Sequence, residues 1–315
     1  MFTRPSFAVS RLTVEGVPPN LDRVEEILDG KRMRFREIEE GSEITRSNGV
    51  ESVRRLNHGT WLLTFRKDRK QLPAGAVQNR ANEKLEALKD QGRHIGPKAR
   101  KKAMDQAAEE LTLTAIPSTQ RAQGLLEATV DGLVLYVSTT SATMLSTVQD
   151  ILRRAEWTTT LKTPWADRND PTAESPLLSL EFPRSVAGCR AMRAQVLDPD
   201  HEDLVPEPEH GAAKVVTVNG RRTLQGAVTS DLNAHLKDGA ELLSVALCCR
   251  TEQVAASFVL DASNFTLSRV RFEDDFPPAL DEDELLLEKL ERLRLLFGVL
   301  WKTYAHYPPI PRAAA

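Results

Sequence analysis

The sequence has 315 residues, of which 41% are hydrophobic, and a formal net charge of −3 at pH 7. A chain of this length can form two or three modest domains with buried cores. Its nearly balanced charge excludes attraction of a polyanion by the whole molecule, so such a partner would have to meet a local patch.

The charges are segregated along the chain. Between Arg46 and Lys102 there are 15 Lys or Arg and 5 Asp or Glu, whereas Glu273 to Glu291 holds nine acids and one lysine. The three cysteines show no CxxC spacing and predict no disulfide framework. Apolar runs long enough for a signal peptide or a membrane span are absent, so we expect a soluble cytoplasmic protein with no membrane partner.

In chain order, the first predicted elements are a strand over residues 7–14 and a short helix near 21–28. An unpatterned stretch follows, and its turn-prone pair Asn48-Gly49 predicts a loop. Residues 60–65 predict a buried strand that leads into the cationic run RKDRK.

Residues 72–113 predict a pair of helices that forms an arm. Pro73 and Pro97 stand where helices can begin, because proline lacks the N–H that a first turn leaves unpaired. Apolar residues recur at helical spacing in both halves, so the helices are expected to pack antiparallel across a short turn. These residues are Val77, Ala81, Leu85 and Leu88 in the first helix and Ala103, Met104, Ala107, Ala108 and Leu111 in the second.

The remaining chain predicts a ββαβ unit and a mixed C-terminal region. In the first, strands at 124–129 and 133–137 precede a helix near 142–155 and a strand at 158–161. Further strands are expected at 177–182, 192–196, 215–218, 242–248, 254–260 and 267–272, with a short helix at 229–237. Acids at 281–284 begin a long leucine-rich helix through about Tyr304.

Strands and helices segregate along the chain, which predicts the α+β class. We expect several small mixed units of sheet and helix, with a protruding antiparallel helical arm and a long C-terminal helix. The expected division is 1–71 as the N-terminal α/β part of the central region, 72–113 as the arm, 114–166 as the ββαβ unit and 167–315 as the C-terminal α+β region.

The sequence contains no phosphate-binding glycine loop, HExxH or GxSxG motif. Asp198, Asp200, Glu202 and Glu209 fall on positions 1, 3, 5 and 12 of a calcium loop, but Asp203 stands where that loop needs glycine. A solvated acidic loop is the better interpretation, and no catalytic residue, metal or cofactor is predicted. A nuclease site needs two or three carboxylates that converge on one point. Residues distant in the sequence can meet in this way in the fold, so the nuclease alternative stays open.

The candidate binding residues are cations of the central segment. Their accumulation favours function over an ordinary solvated helix face; they are Arg66, Lys67, Arg69 and Lys70 before the arm and Lys98, Arg100, Lys101 and Lys102 within it. Non-specific duplex binding requires little more than cations that replace counterions along phosphates. Single strands call for aromatic stacking platforms, and only 5% of the residues are aromatic, so duplex DNA is favoured and single-stranded DNA stays open.

The order of these pieces resembles the recombination-associated RdgC family of bacterial DNA-binding proteins. The similarity is clearest over residues 60–157, where RKDRKQLP, the arm and DGLVLYVSTTSATMLSTVQDILRRA follow one another. It resumes over 229–272 with SDLNAHLKDGAELLSVAL and LSRVRF. Together these stretches cover nearly half of the chain and include no catalytic motif.

The resemblance implies a horseshoe-like subunit that forms a homodimeric ring around duplex DNA and restrains a RecA-type recombinase. Gln225 falls where the family has a polar DNA-contacting residue, with Arg221 and Arg222 just upstream. The chain departs from the family at Ala115-Ile116-Pro117, which replace basic and aromatic residues, and at Thr223-Leu224, which replace lysines.

The first hypothesis is therefore a nucleoid-associated protein that binds duplex DNA without sequence preference. Two alternatives stay open. One is a metal-dependent exonuclease or nuclease accessory subunit that uses Asp198, Asp200 or the acids near Asp281, since the resembled family is in places labelled an exonuclease. The other is a protein-interaction module in which the basic arm binds an acidic protein.

Overall fold

A computed structural model shows the fold and describes residues 1–16, 21–130, 132–164, 186–198, 202–207, 211–217, 220–225, 228–273, 276–277 and 279–306. These residues include β1 Phe7–Glu15, β2 Arg46–Asn57, β3 Thr60–Lys70, β4 Pro117–Thr129, β5 Gly132–Val137, β6 Thr158–Thr160, β7 Leu204–Pro206, β8 Ala212–Thr217, β9 Gly220–Gln225, β10 Glu241–Arg250, β11 Ala255–Asp261 and β12 Thr266–Phe272. The helices are α1 Asp22–Leu28, α2 Ala74–Asp90, α3 Pro97–Thr114, α4 Ala142–Arg153, α5 Val186–Leu197, α6 Val228–Lys237 and α7 Glu282–His306. This content confirms the α+β class.

The described strands join into one antiparallel sheet of twelve strands. Its main path runs β2-β3-β4-β5-β1-β12-β11-β10-β8-β9, while β6 pairs with β1 and β7 with β10. Phe7 and Val9 of β1 pair with β12, whereas residues 10–14 of the same strand pair with β5. The units that the sequence separates are thus continuous through β1, because both of its edges hydrogen-bond to a neighbour and neither stays open.

Two apolar cores cover opposite faces of the N-terminal half of the sheet, which comprises β2 to β6. Consecutive residues of β3 show this division, since Leu62 belongs to the core beneath α7 and Leu63 to the core beneath α1 and α4. The α7 core continues under β8 to β12, the C-terminal half of the sheet, through residues such as Phe258 and Leu260. Each fully buried side chain of this size contributes about 1.5–3 kcal/mol.

The predicted arm is confirmed as the helix pair α2 and α3, inserted between β3 and β4. Ala81, Ala103 and Ala107 form its separate small core, flanked by Val77, Leu85 and Met104. Alanine at the contact allows the two helix axes to approach closely, and neither helix contributes to the two large cores. Seventeen residues of α2 give an arm about 26 Å long.

The loop predicted at Asn48-Gly49 is wrong, because both residues lie within β2. Gly49 serves a close approach rather than a turn: a Cβ there would stand 2.5 Å from the Cα of Phe35. The backbone at 33–35 passes directly against β2, where the Phe35 N–H donates to the Val50 carbonyl at 2.8 Å. Turn propensity therefore gave the wrong answer at a position that needs glycine for space.

The strand predicted at 192–196 is also wrong, since these residues belong to α5. Cys189, Met192 and Val196 are buried at spacings of three and four, which is helical periodicity. The sequence reasoning missed β9, a short strand with little apolar content. The strand predicted at 177–182, and all but the first residue of the connector at 164–176, lie outside the described residues.

Candidate nucleic-acid interface

The distal end of the arm concentrates positive charge. Lys98, Arg100, Lys101 and Lys102, which we call the arm-tip cations, are all exposed, and no ion pair to any of them is found among the described residues. They occupy the first two turns of α3, which has no acidic residue in its first turn and no side-chain cap. A helix N-terminus carries partial positive charge, so each nearby cation costs about 0.3–1 kcal/mol. The arm tip therefore has an excess of positive charge that an anion would relieve.

The cations nearer the base of the arm are neutralised instead. Glu110 of α3 pairs with Arg80 at 3.2 Å and with Lys84 at 2.5 Å, both on α2. Hydrogen bonds from Lys84 and then Arg80 hold the pKa of Glu110 below its ordinary value. Because these pairs connect the two helices, they stabilise the arm and leave the net positive charge at its tip.

Arg66 lies in a nearly enclosed network on the α7 side of the sheet. Its guanidinium donates to both carboxylate oxygens of Asp68, at 3.0 and 2.8 Å, and pairs with Glu51 at 3.0 Å and Glu37 at 3.1 Å. The ring of Phe35 stacks 4.3 Å from the same guanidinium. With three carboxylates around one cation, this position carries no net positive charge towards solvent.

Lys70 is also engaged within the fold. Its side chain is buried, and its Nζ donates to the carbonyl oxygens of Ser42 and Thr112, each at 2.8 Å. Thr112 lies in the last turn of α3, where a cation interacts favourably with the helix dipole. Lys70 thus fixes the base of the arm to the end of β3.

Lys67 and Arg69 alternate with Arg66 along β3 and point to the α4 side of the sheet. Together with Arg46 and Arg154 they form what we call the strand-end patch. Arg46 and Arg69 are directly opposite each other in the β2–β3 ladder, and like charges at such positions are destabilising. Burial, followed by the charges of Arg46 and Arg69, lowers the pKa of Lys67. The patch is a second place where positive charges accumulate.

The neighbours of Lys67 fix this patch in place. Its Nζ donates to Thr147 Oγ1 of α4 at 3.0 Å, and its cross-strand partner Asn48 accepts a hydrogen bond from Arg154 through the backbone carbonyl at 3.1 Å. Arg46, Arg69 and Arg154 are exposed. Asp150 is the acidic neighbour of Lys67, and it pairs with Arg153 at 3.3 Å.

Arg221, Arg222 and Gln225 lie on β9, the last strand on the sheet path, and all three are exposed. Alternation along the strand places Arg221 and Gln225 on one face and Arg222 on the other. Gln225 borders a cavity of about 700 Å³ on the face of the C-terminal half opposite the α7 core. The eleven predicted residues therefore do not form one contiguous site. They divide among the arm tip, the strand-end patch and the β9 edge, while Arg66 and Lys70 are engaged in contacts within the fold.

Sequence reasoning missed Arg46, Arg154, Lys214 and Arg269. Arg46 belongs to the basic segment of the sequence, but its position opposite Arg69 depends on the β2–β3 register. Lys214 and Arg269 border the cavity beside Gln225, although these two cations are 55 residues apart along the chain. No local pattern signals such a juxtaposition.

Of the acidic residues 198–209, whose sequence favours a solvated loop over a calcium site, Asp200 and Glu209 lie outside the described residues. Within the described ranges, no group of three or more His, Cys, Asp or Glu residues is arranged to hold a metal ion. The helices in the same part of the chain include none that is both long and apolar enough to cross a membrane.

In a comparison with known protein families, residues 41–173 match the family described as "RdgC: Putative exonuclease, RdgC". The matched segment begins before β2, includes the whole arm and ends after β6. It confirms the family resemblance noted from the sequence. No curated protein matches the chain.

Proposed function

We propose that this chain, whose residues 41–173 match the RdgC family, binds duplex DNA through the phosphate backbone without sequence preference. The observation that carries this proposal is the group of arm-tip cations. Four exposed positive charges stand on the first turns of a helix whose dipole opposes them, with no acid in the first turn. Phosphate is one of the anions that helix N-termini bind, and duplex DNA presents phosphates in regular succession.

The strand-end patch supports the same proposal from the body of the molecule. Arg46, Lys67 and Arg69 repel one another in the absence of a ligand, and a phosphate backbone would offset this repulsion. Each cation that replaces a counterion on duplex DNA contributes about −0.9 to the slope of log K against log salt. Base-reading contacts are not required for such binding, so affinity would depend little on sequence.

We propose further that two horseshoe-like subunits form a ring around the duplex, with the arm tips at one of the two contacts. The arm suits this role, since a helix pair about 26 Å long, with its own alanine core, extends away from the sheet. A protein that occupies duplex DNA in this way would restrict access for a RecA-type recombinase and would associate with the nucleoid. Light scattering with and without a short duplex tests the dimer, since a monomer in both conditions would exclude the ring.

A pair of charge-matched variants tests the contribution of the arm tip. Lys101→Gln/Lys102→Gln should lower the salt slope of duplex binding by about two and weaken binding at every sequence tested. The control Lys237→Gln/Lys302→Gln removes the same charge from exposed positions on α6 and α7 and should leave the slope unchanged. Equal slopes for the two double variants would show that the arm tip does not contact the backbone.

The family description names an exonuclease, and this is the second candidate function. Incubation of end-labelled duplex with Mg²⁺ or Mn²⁺ separates it from binding alone, because progressive shortening of the labelled strand would show hydrolysis. A third outcome is that this chain binds an acidic protein but shows no affinity for duplex DNA at low salt. That result would assign the basic arm to a protein partner.

A further inference from the structure

The open face of the C-terminal half of the sheet carries a polar cavity that lies apart from the arm and the strand-end patch. Its volume is about 700 Å³, and its walls come from β8, β9, β10, β11 and β12 together with Thr140, just before α4. The opposite face of these strands packs on the α7 core. Strand alternation therefore brings one polar set of side chains to the cavity.

The register of the ladders aligns these side chains in a row. Thr266 pairs with Asp261, Asp261 with Ser244, Ser244 with Lys214, and Lys214 with Thr223. All five residues border the cavity. Four strand spacings of about 4.8 Å give the row a length of about 19 Å. The row is thus long enough to contact several successive groups of an extended ligand.

Arg269 enters the cavity because β12 is bulged. Between Ser268 and Arg271 the strand has one residue more than β11, and between Leu267 and Val270 it has one more than β1. Arg269 is exposed at this bulge and has φ +56°, a left-handed conformation that is unfavourable for an arginine. Bulges re-aim side chains, and strained backbone is retained where the surroundings and function require it.

The charges around the cavity favour an anion. Lys214 and Arg269 are both exposed, and among the described residues neither is found in an ion pair. Among the described residues of the lining, the one acid is Asp261, which accepts a hydrogen bond from the Ser263 backbone N–H at 2.8 Å. The remaining polar lining consists of hydroxyl and amide side chains, including Thr223 and Gln225, which can donate to phosphate oxygens.

We propose that this cavity is a phosphate-binding subsite, with Lys214 and Arg269 as the cationic contacts and Thr223 and Gln225 as neutral donors. The proposal rests on the proposed function, in which the phosphate belongs to the DNA backbone. It adds two cations from strands β8 and β12, outside the segment that matches the family. A free phosphate compound offers the same chemistry, so the experiment separates the two sources.

The test variant is Lys214→Gln/Arg269→Gly. Glycine adopts φ +56° without strain, so this variant should fold at least as well at position 269 as the parent chain. Binding of a labelled duplex across a salt series should show a slope lower by about two for this variant. The control Lys237→Gln/Lys302→Gln, with the same charge change on α6 and α7, should bind as the parent does. The single variant Arg269→Lys, which keeps both charges of the cavity, should retain most of the parent's salt slope.

Each outcome decides the proposal. If the parent binds duplex and the test variant matches the control, the cavity is not a subsite, although the proposed function stands. If the parent shows no duplex binding at low salt, the proposed function fails, and thermal unfolding with inorganic pyrophosphate then tests the cavity alone. Stabilisation of the parent that the test variant lacks would assign the cavity to a free phosphate compound. Equal melting temperatures with and without pyrophosphate would overturn the subsite.

Discussion

Arg66 offers the sharpest test of the distinction between structural and ligand-binding cations, because its sequence context predicts DNA contact and its surroundings predict a structural role. The side chain is 14% exposed, and its bidentate partner Asp68 is 2% exposed. Replacement by glutamine would leave the Asp68 carboxylate buried without its cation. Removal of one partner of a buried ion pair lowers the free energy of unfolding by about 3–5 kcal/mol. We expect a loss of about 3 kcal/mol for Arg66→Gln, because Glu37 and Glu51 are partly solvated and need the cation less than Asp68 does.

Urea unfolding at neutral pH measures this loss directly. Glu37→Gln is the matched control, since it removes the most exposed of the three carboxylates around Arg66 and should cost less than about 1 kcal/mol. Arg66→Lys keeps the charge without the two-pronged geometry and should fall between the two. The same Arg66→Gln protein, once folded, should keep the salt slope of duplex binding. A cost no greater than that of Glu37→Gln, or a slope reduced by about one, would refute the structural assignment.

Three further predictions concern buried or paired charges. Lys70→Met should lower the melting temperature and increase hydrogen exchange at the end of α3, since the Ser42 and Thr112 carbonyls lose their shared donor. Glu51→Gln should destabilise the fold at neutral pH but not in acid: Arg121 and Arg66 hold the pKa of Glu51 below 4.5, so its contribution is present above 4.5 and is lost as pH falls through the lowered pKa. Burial lowers the pKa of Lys289 from 10.5, so the unfolded chain binds more protons there, and the parent should gain stability relative to Lys289→Met as pH rises towards 10.5.

Helical periodicity was the sequence signal that predicted the most elements of the fold. The arm is the best case, because Pro73, Pro97 and two apolar stripes specify two amphipathic helices with little help from the rest of the chain. The α4 helix and the long α7 helix followed from the same signal. The hairpin of β4 and β5 was found from alternation around a turn, although β4 begins seven residues earlier than predicted.

Long-range pairing was less predictable, for a physical reason. Nothing local to Phe7 indicates that β1 pairs with β12 at one end and β5 at the other, since this choice depends on burial of both halves against α7. Gly49 shows the same limit, because the chain segment that approaches it lies 14 residues earlier. Such contacts are determined by the tertiary fold rather than by the propensity of the residues involved.

The candidate site divides along the same line. The arm-tip cations were found because they are consecutive and stand on a predicted helix. Lys70 and Arg66 belong to an equally basic run, yet strand alternation and nearby acceptors direct them into the fold. The cluster of Lys214, Gln225 and Arg269 needed the strand order and the β12 bulge, and a single sequence contains no signal for either.

The most direct test of the central claim is the affinity of the unmodified protein for two duplexes of equal length and unrelated sequence, measured by fluorescence anisotropy across a salt series. We expect the same dissociation constant for both duplexes and a linear fall of log K with log salt, with a slope of about 0.9 per phosphate contact. Absence of binding at low salt, or a strong preference for one sequence that persists at high salt, would contradict it.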